Sequence, residues 1–256
     1  MLMCLILFAL QQHDTYPLVV VANRDEYYAR PTQSAHWWPD TPEIFAGRDL
    51  EAQGTWMGVN RNGRFAAVTN VREPGGLDPA RLSRGQLTRD FLSSHEPAEA
   101  FLKNLESGAH DYAGFNLLIG DSSALYFYSN RDSGVRPVTP GIYGISNGKF
   151  NEHWPKLKNG KKALANALQQ GIDNECLMQI LTDDSQANDS ALPDTGVSLN
   201  IERMLSSRFI RSPDYGTRAS SVVRFNRQKE ISFVEQNFDA AGKVGDLIEE
   251  SIQIEI

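Results

Sequence analysis

Met3-Cys-Leu-Ile-Leu-Phe-Ala-Leu10, then Gln11-Gln-His-Asp-Thr-Tyr-Pro17, then Leu18-Val-Val-Val-Ala22 and the abruptly polar Asn23-Arg-Asp-Glu26 form the stretch that decides the fold. Two apolar runs of strand length, Cys4–Leu10 and Leu18–Ala22, separated by a turn-forming segment, predict a hairpin. Neither run alternates. Near-continuous apolar strands have both faces covered, so a layer is expected above and below this hairpin. The first run lacks the preceding basic residues and the small-x-small cleavage site of a signal peptide, and ten apolar residues cannot span a bilayer.

Outward from this hairpin, Thr55–Val59 and Arg64–Asn70 flank Asn60-Arg-Asn-Gly63, whose Asn-Gly step supplies the positive φ of a tight turn. The segment between, through Trp37, Trp38 and Pro42, reads as a loop rich in proline and aromatics. Helices are expected at Arg84–Leu92 and Ala98–Leu105, a third hairpin at Asn116–Ile119 and Leu125–Ser129, and a short strand at Tyr143–Ser146. Trp154–Gln170 is amphipathic and stops at Gly171; Asn174–Leu181 forms a further helix. Strands return at Ser220–Phe225, Glu230–Gln236 and Leu247–Ile254. Strands first, helices in the middle and strands again suit antiparallel sheets covered by helices rather than a βαβ parallel fold.

The 256 residues carry 41% hydrophobic and 22% charged side chains with a formal charge of -7. This is the balance of a globular chain, expected as one domain over 1–256. No Lys/Arg cluster is dense enough for a nucleic-acid footprint. With two cysteines, Cys4 and Cys176, a reducing, cytoplasmic compartment is expected rather than a disulfide scaffold. The five histidines have no zinc-ligand spacing, so no metal site is expected. Gly144-Ile-Ser-Asn-Gly-Lys149 lacks the spacer and hydroxyl of a phosphate loop.

Chemistry concentrates at Cys4. If translation began at Met3 and that methionine were removed, Cys4 would carry both a thiol and a free α-amine, nucleophile and base on one residue. The bland alternative is an ordinary buried thiol in a strand. Arg24 and Asp25 end the neighbouring strand at the same end as Cys4, where they are able to tune its thiol. Asn70 and Asn147 stand at strand ends, as turn formers or as amide donors to a developing oxyanion.

Asn23-Arg-Asp-Glu26, Phe45-Ala-Gly-Arg-Asp49, Gly54-Thr-Trp-Met-Gly-Val59, Gly63-Arg-Phe-Ala-Ala-Val-Thr-Asn70, Gly114-Phe-Asn-Leu-Leu118, Tyr143-Gly-Ile-Ser-Asn147 and Asp214-Tyr-Gly-Thr-Arg218 run in order across the chain. Together they resemble the NRDE family, also called the Transport and Golgi Organisation 2 family. That family begins Met-Cys, whereas Met1-Leu2 precede Met3-Cys4 here, and Ala113 stands where the family usually has Asn. The resemblance implies an α+β, four-layer αββα sandwich of two antiparallel sheets, similar to N-terminal-nucleophile hydrolases. It implies Cys4 as nucleophile, Asn70 and Asn147 as the two site asparagines, Arg218 as a late site arginine, and Arg24 and Asp25 as the first site cluster, although here these two are adjacent.

Two functions follow as expectations. One is a cysteine amidohydrolase acting on a small amide or acyl substrate through a Cys4 thioester. The other, carried by the resemblance, is a haem-binding or haem-trafficking protein, or a handler of lipid or acyl-CoA, with a hydrophobic ligand in an apolar cleft and Cys4 as a possible haem ligand. A scaffold with an inert site is the third. The hydrolase needs no cofactor; haem would be a cargo.

Overall fold

The two opening apolar runs pair antiparallel as β1 (Met3–Leu10) and β2 (Leu18–Tyr27), with Cys4 opposite Arg24 and Leu5 opposite Asn23. Alternation along β1 sends Ile6, Phe8 and Leu10 into one core and Leu5, Leu7 and Ala9 into another. Both faces are covered, as the non-alternating sequence requires.

The computed structural model describes residues 3–72 and 82–255, so Met1 and Leu2 lie outside it. After the first hairpin come β3 (Thr32–Trp38), β4 (Thr41–Asp49), β5 (Met57–Asn60) and β6 (Phe65–Asn70), then α1 (Arg84–Ser93) and α2 (Ala98–Glu106). Next are β7 (Phe115–Gly120), β8 (Leu125–Ser129), β9 (Arg136–Pro137) and β10 (Gly141–Ile145). The chain continues through α3 (Pro155–Gln170), α4 (Asn174–Ile180) and α5 (Leu199–Leu205), then closes with β11 (Tyr215–Phe225), β12 (Glu230–Asp239) and β13 (Gly242–Gln253).

Strands β10-β1-β2-β11-β12-β13 form a 6-stranded sheet and β3 to β9 a 7-stranded sheet in sequence order, with every pair of named strands antiparallel. Ile6, Phe8, Val20 and Val223 of the first sheet share a core with Phe45, Val59, Phe65 and Phe127 of the second, so the sheets face each other. Leu87, Phe91 and Leu102 of α1 and α2 cover the outer face of the second sheet; Leu157, Leu164 and Leu177 of α3 and α4 cover the outer face of the first. The layers therefore run α-β-β-α. No helix among the described residues is long and apolar enough to cross a membrane.

One expectation fails. The segment through Trp37, Trp38 and Pro42 is a hairpin, β3 and β4, rather than a loop. Trp38 is 1% exposed and donates through Nε1 to the Ala46 carbonyl at 3.0 Å, while the Trp37 and Phe45 rings meet edge to face at 5.2 Å. Two register shifts interrupt the ladder, and they break the alternation that would have revealed it. Helix α5 was also illegible: seven residues give too little periodicity. The Asn-Gly turn stands as expected, with Gly63 at φ +77° and the Asn60 side chain accepting from the Asn62 and Arg64 amides.

Candidate functional site

Cys4 occupies the first described turn of strand β1 with even-numbered neighbours facing the inter-sheet core, so its side chain enters the space between the sheets. It is 7% exposed and lines a cavity of about 340 Å³. The same alternation puts Arg24 and Glu26 on that inner face, and Arg24 Nη2 lies 3.3 Å from Glu26 Oε2. Arg30 Nε bonds Asp49 Oδ2 at 2.7 Å and approaches Glu26 Oε2 at 3.7 Å; Arg24 reaches Asp49 at 3.8 Å. A chain of arginines and carboxylates thus forms the cavity wall beside the thiol.

Asp25 borders the same cavity, but its carboxylate turns the other way. Its carboxylate accepts from Thr217 Oγ1 at 2.7 Å, on the α3 side of the sheet. Of the adjacent pair, Arg24 therefore shares the thiol's face, and Asp25 lies beneath the backbone at the Met3–Cys4 junction, opposite Met3 in the ladder. Burial, opposed by Lys156, the Thr217 hydrogen bond and Arg24, raises the Asp25 carboxyl to about 7.

Asn147 follows strand β10 and reaches Cys4 from the opposite side. Its Oδ1 accepts the Cys4 backbone N–H at 3.3 Å and its Nδ2 donates to the Asn70 carbonyl at 2.9 Å. The amide is thus spent on the Cys4 nitrogen and on the end of β6, and it lines a second cavity rather than the one holding the thiol. The Ser146–Gly148 strap is held in turn by Asn116: Nδ2 donates to the Ser146 and Gly148 carbonyls at 3.2 and 2.9 Å. Thr69 Oγ1 adds a bond to the Ser146 carbonyl at 2.6 Å. The asparagine of the Gly-Phe-Asn motif therefore couples the two sheets at the site.

Asn70 ends β6 and lines the thiol's cavity; its side-chain amide makes no hydrogen bond to any described residue. Ala113, where the resembled family carries Asn, is in the same wall. Arg218 is the extra residue of a β-bulge between Thr217 and Ala219. The bulge re-aims its guanidinium, which donates to the carbonyls of Tyr27, Tyr28 and Arg30 at 3.0, 2.9 and 3.2 Å and to that of Phe238 at 3.2 Å. It clamps the turn after β2 while still lining the cavity.

Five of the six residues expected from sequence thus surround one cavity, and Asn147 stands behind Cys4. Sequence reasoning missed Glu26, Arg30, Asp49 and the buried Glu235 in the wall. The period-2 pairing of Arg24 with Glu26 was visible in Asn23-Arg-Asp-Glu26, and Asp49 closes the motif Phe45-Ala-Gly-Arg-Asp49; Arg30 and Glu235 come from a turn and a separate strand and left no local signal.

Burial, reinforced by the Asp25 carboxylate, pushes the Cys4 thiol up to about 12, against the pull of Arg24 and the Asp25 amide. With its nitrogen tied up in a peptide bond, the thiol is protonated at neutral pH. A nucleophile here requires a base that the peptide-linked form does not place at the sulfur.

The family model described as Transport and Golgi organisation 2 matches residues 3–240. A bovine Transport and Golgi organization protein 2 homolog is 33% identical, covering 92% of this chain and 93% of that protein. The Homo sapiens homolog is 32% identical over the same shares, and the Drosophila melanogaster protein 27% over 91% and 92%. Among solved structures, a Caenorhabditis elegans N-acylethanolamine-hydrolyzing acid amidase ortholog aligns at TM-score 0.45 and 11% identity, covering 86% of this chain and 92% of that one. A mutant conjugated bile acid hydrolase from Clostridium perfringens aligns at TM-score 0.43 and 8% identity, covering 99% and 85%. With the family model matching residues 3–240 and relatives up to 33% identical over 92% of its length, the chain belongs to the Transport and Golgi organisation 2 family.

Proposed function

We propose that Cys4 is an N-terminal nucleophile that hydrolyses a small amide or acyl substrate. The observation that carries this reading is the position of the Cys4 backbone nitrogen, held by Asn147 Oδ1 beside a thiol that faces a cavity of about 340 Å³. Release of the residues before Cys4 turns that nitrogen into an α-amine on the same residue as the thiol. The sulfur attacks the acyl carbon, the thiol proton passes to the α-amine, and the amine then protonates the leaving nitrogen or oxygen. Water hydrolyses the resulting thioester and regenerates the thiol. The unengaged Asn70 amide supplies a hydrogen-bond donor in the wall for the oxyanion.

The haem reading has less support. Among the described residues no histidine or methionine lines the cavity and Cys4 is the candidate axial ligand, and the wall sets arginines and carboxylates beside apolar side chains such as Trp56, Val68 and Leu82.

The test compares the chain translated from Met3, whose methionine the expression host removes, with the full chain, using p-nitrophenyl esters and p-nitroanilides of short acyl groups. Turnover by the first, and its loss in Cys4→Ala, is expected. Equal turnover by the Cys4→Ala variant contradicts the reading.

A further inference from the structure

The second cavity, of about 400 Å³, has the size of a small-molecule site. Asn147, which accepts the Cys4 N–H, lines it, whereas the thiol lines the first cavity. Aromatic side chains supply much of its wall. Phe127 of β8, 1% exposed, meets Phe150 with 4.6 Å between ring centroids, and Trp154, just before α3, adds a third ring. These rings offer a planar apolar group stacking and edge contacts.

One polar atom in this wall lacks a partner. Asn116 of β7 is 2% exposed and lines the cavity. Its Nδ2 donates to the Ser146 and Gly148 carbonyls at 3.2 and 2.9 Å and lies 3.2 Å from Thr69 Oγ1. A carbonyl accepts and never donates, so these bonds fix which end of the amide is nitrogen. The Oδ1 accepts from no described residue and is the end of the amide left for the cavity. A buried amide oxygen without a donor is costly, and in a native fold it calls for an explanation.

The charged side chains around the cavity balance. Arg72, Arg131 and Lys149 line it together with Asp132, Glu152 and Asp194. Arg72 is bonded to Glu202 and Thr195, and Asp132 holds Arg136 at 2.6 Å. A wall of matched charges favours a neutral ligand over an ion.

We propose that this cavity is a second ligand site, taking a neutral aromatic ring that carries a hydrogen-bond donor, such as a phenol O–H or an azole N–H. The ring lies among Phe127, Phe150 and Trp154, and the donor meets Asn116 Oδ1. A ligand without the donor leaves that buried oxygen unpaired, so the site selects for it. Asn116 holds the Ser146–Gly148 strap that carries Asn147, so an occupied cavity adjoins the support of the Cys4 nitrogen. The inference does not require Cys4 to be a nucleophile.

The test titrates the full chain, labelled with nitrogen-15, with phenol and with toluene, which share a shape and differ in the donor. Phenol is expected to give saturable shifts of the Asn116 side-chain amide and Trp154 indole signals, with an affinity about fivefold above that of toluene. Toluene, the more apolar of the two, binding as tightly as phenol overturns the proposal; that is the result if water alone satisfies Asn116 Oδ1. So does phenol that shifts neither signal. Asn116→Leu is expected to remove the preference for phenol; because it also frees the Ser146 and Gly148 carbonyls, the wild-type comparison carries the test if that variant does not fold. Cys4→Ala is expected to leave both affinities unchanged, and loss of phenol binding in it would put the ligand in the first cavity and overturn the proposal.

Discussion

Cys4 and Asn147 meet through a hydrogen bond, 3.3 Å from the Cys4 nitrogen to an amide oxygen, and that bond is where residue identity matters most. In the chain translated from Met3, Cys4→Ala is expected to cut turnover by on the order of 10³-fold or more with little change in urea midpoint. Asn147→Leu keeps the volume but leaves the Cys4 N–H and the Asn70 carbonyl without their partner; a loss of about 1–3 kcal/mol in urea unfolding is expected, together with loss of turnover. Cys4, Arg24, Asp25, Asn70 and Arg218 were legible because each lies in a short motif at a strand end. What the sequence could not show was direction. Whether Arg24 or Asp25 shares the thiol's face depends on strand register, which places Arg24 opposite Cys4 and leaves Asp25 for Thr217. Lys156 was read only as part of an amphipathic helix, since nothing local distinguishes a lysine that turns inward.

Among elements, α1 and the turn after β2 shape the cavity. Gly54 and Gly85 let the start of α1 press against the wall: a Cβ at Gly54 would lie 2.5 Å from the Gly85 carbonyl carbon and oxygen. Gly54→Ala is expected to push α1 outward at a cost of about 1–3 kcal/mol, measurable as a lower urea midpoint. Arg218→Met removes the clamp on Tyr27, Tyr28 and Arg30, and about 2–3 kcal/mol of destabilisation is expected, with faster amide exchange in that turn. The first hairpin and the Asn-Gly hairpin were legible as elements because apolar runs and turn chemistry agree there. Strands β3 and β4 were not, because bulges break their period and Trp38 buries itself from what reads as a loop.

For the whole molecule, the layer order follows from two strands too apolar to have an exposed face, and the motif series pointed to the family that the match over residues 3–240 shows. Burial of Asp25 and Lys156 also leaves a signature in global stability. With the Asp25 carboxyl raised to about 7 in the fold, the folded chain keeps a proton that the unfolded chain has lost above its ordinary value of ~3.9. That contribution is present below the window and lost as pH rises through about 7. Lys156, lowered to about 8, contributes oppositely: its share is regained as pH rises from about 8 toward the ordinary lysine value. Urea midpoints at pH 5 and 7.5 are therefore expected to fall more in the wild type than in Asp25→Asn; parallel curves would contradict the buried titration. The central claim is tested most directly by incubating the chain translated from Met3 with p-nitrophenyl hexanoate, quenching in acid and locating the acyl group by peptide mass. The account predicts a hexanoyl thioester on the peptide that begins at Cys4, absent from Cys4→Ala; an acyl group carried only elsewhere, or none with hydrolysis undiminished in Cys4→Ala, would contradict it.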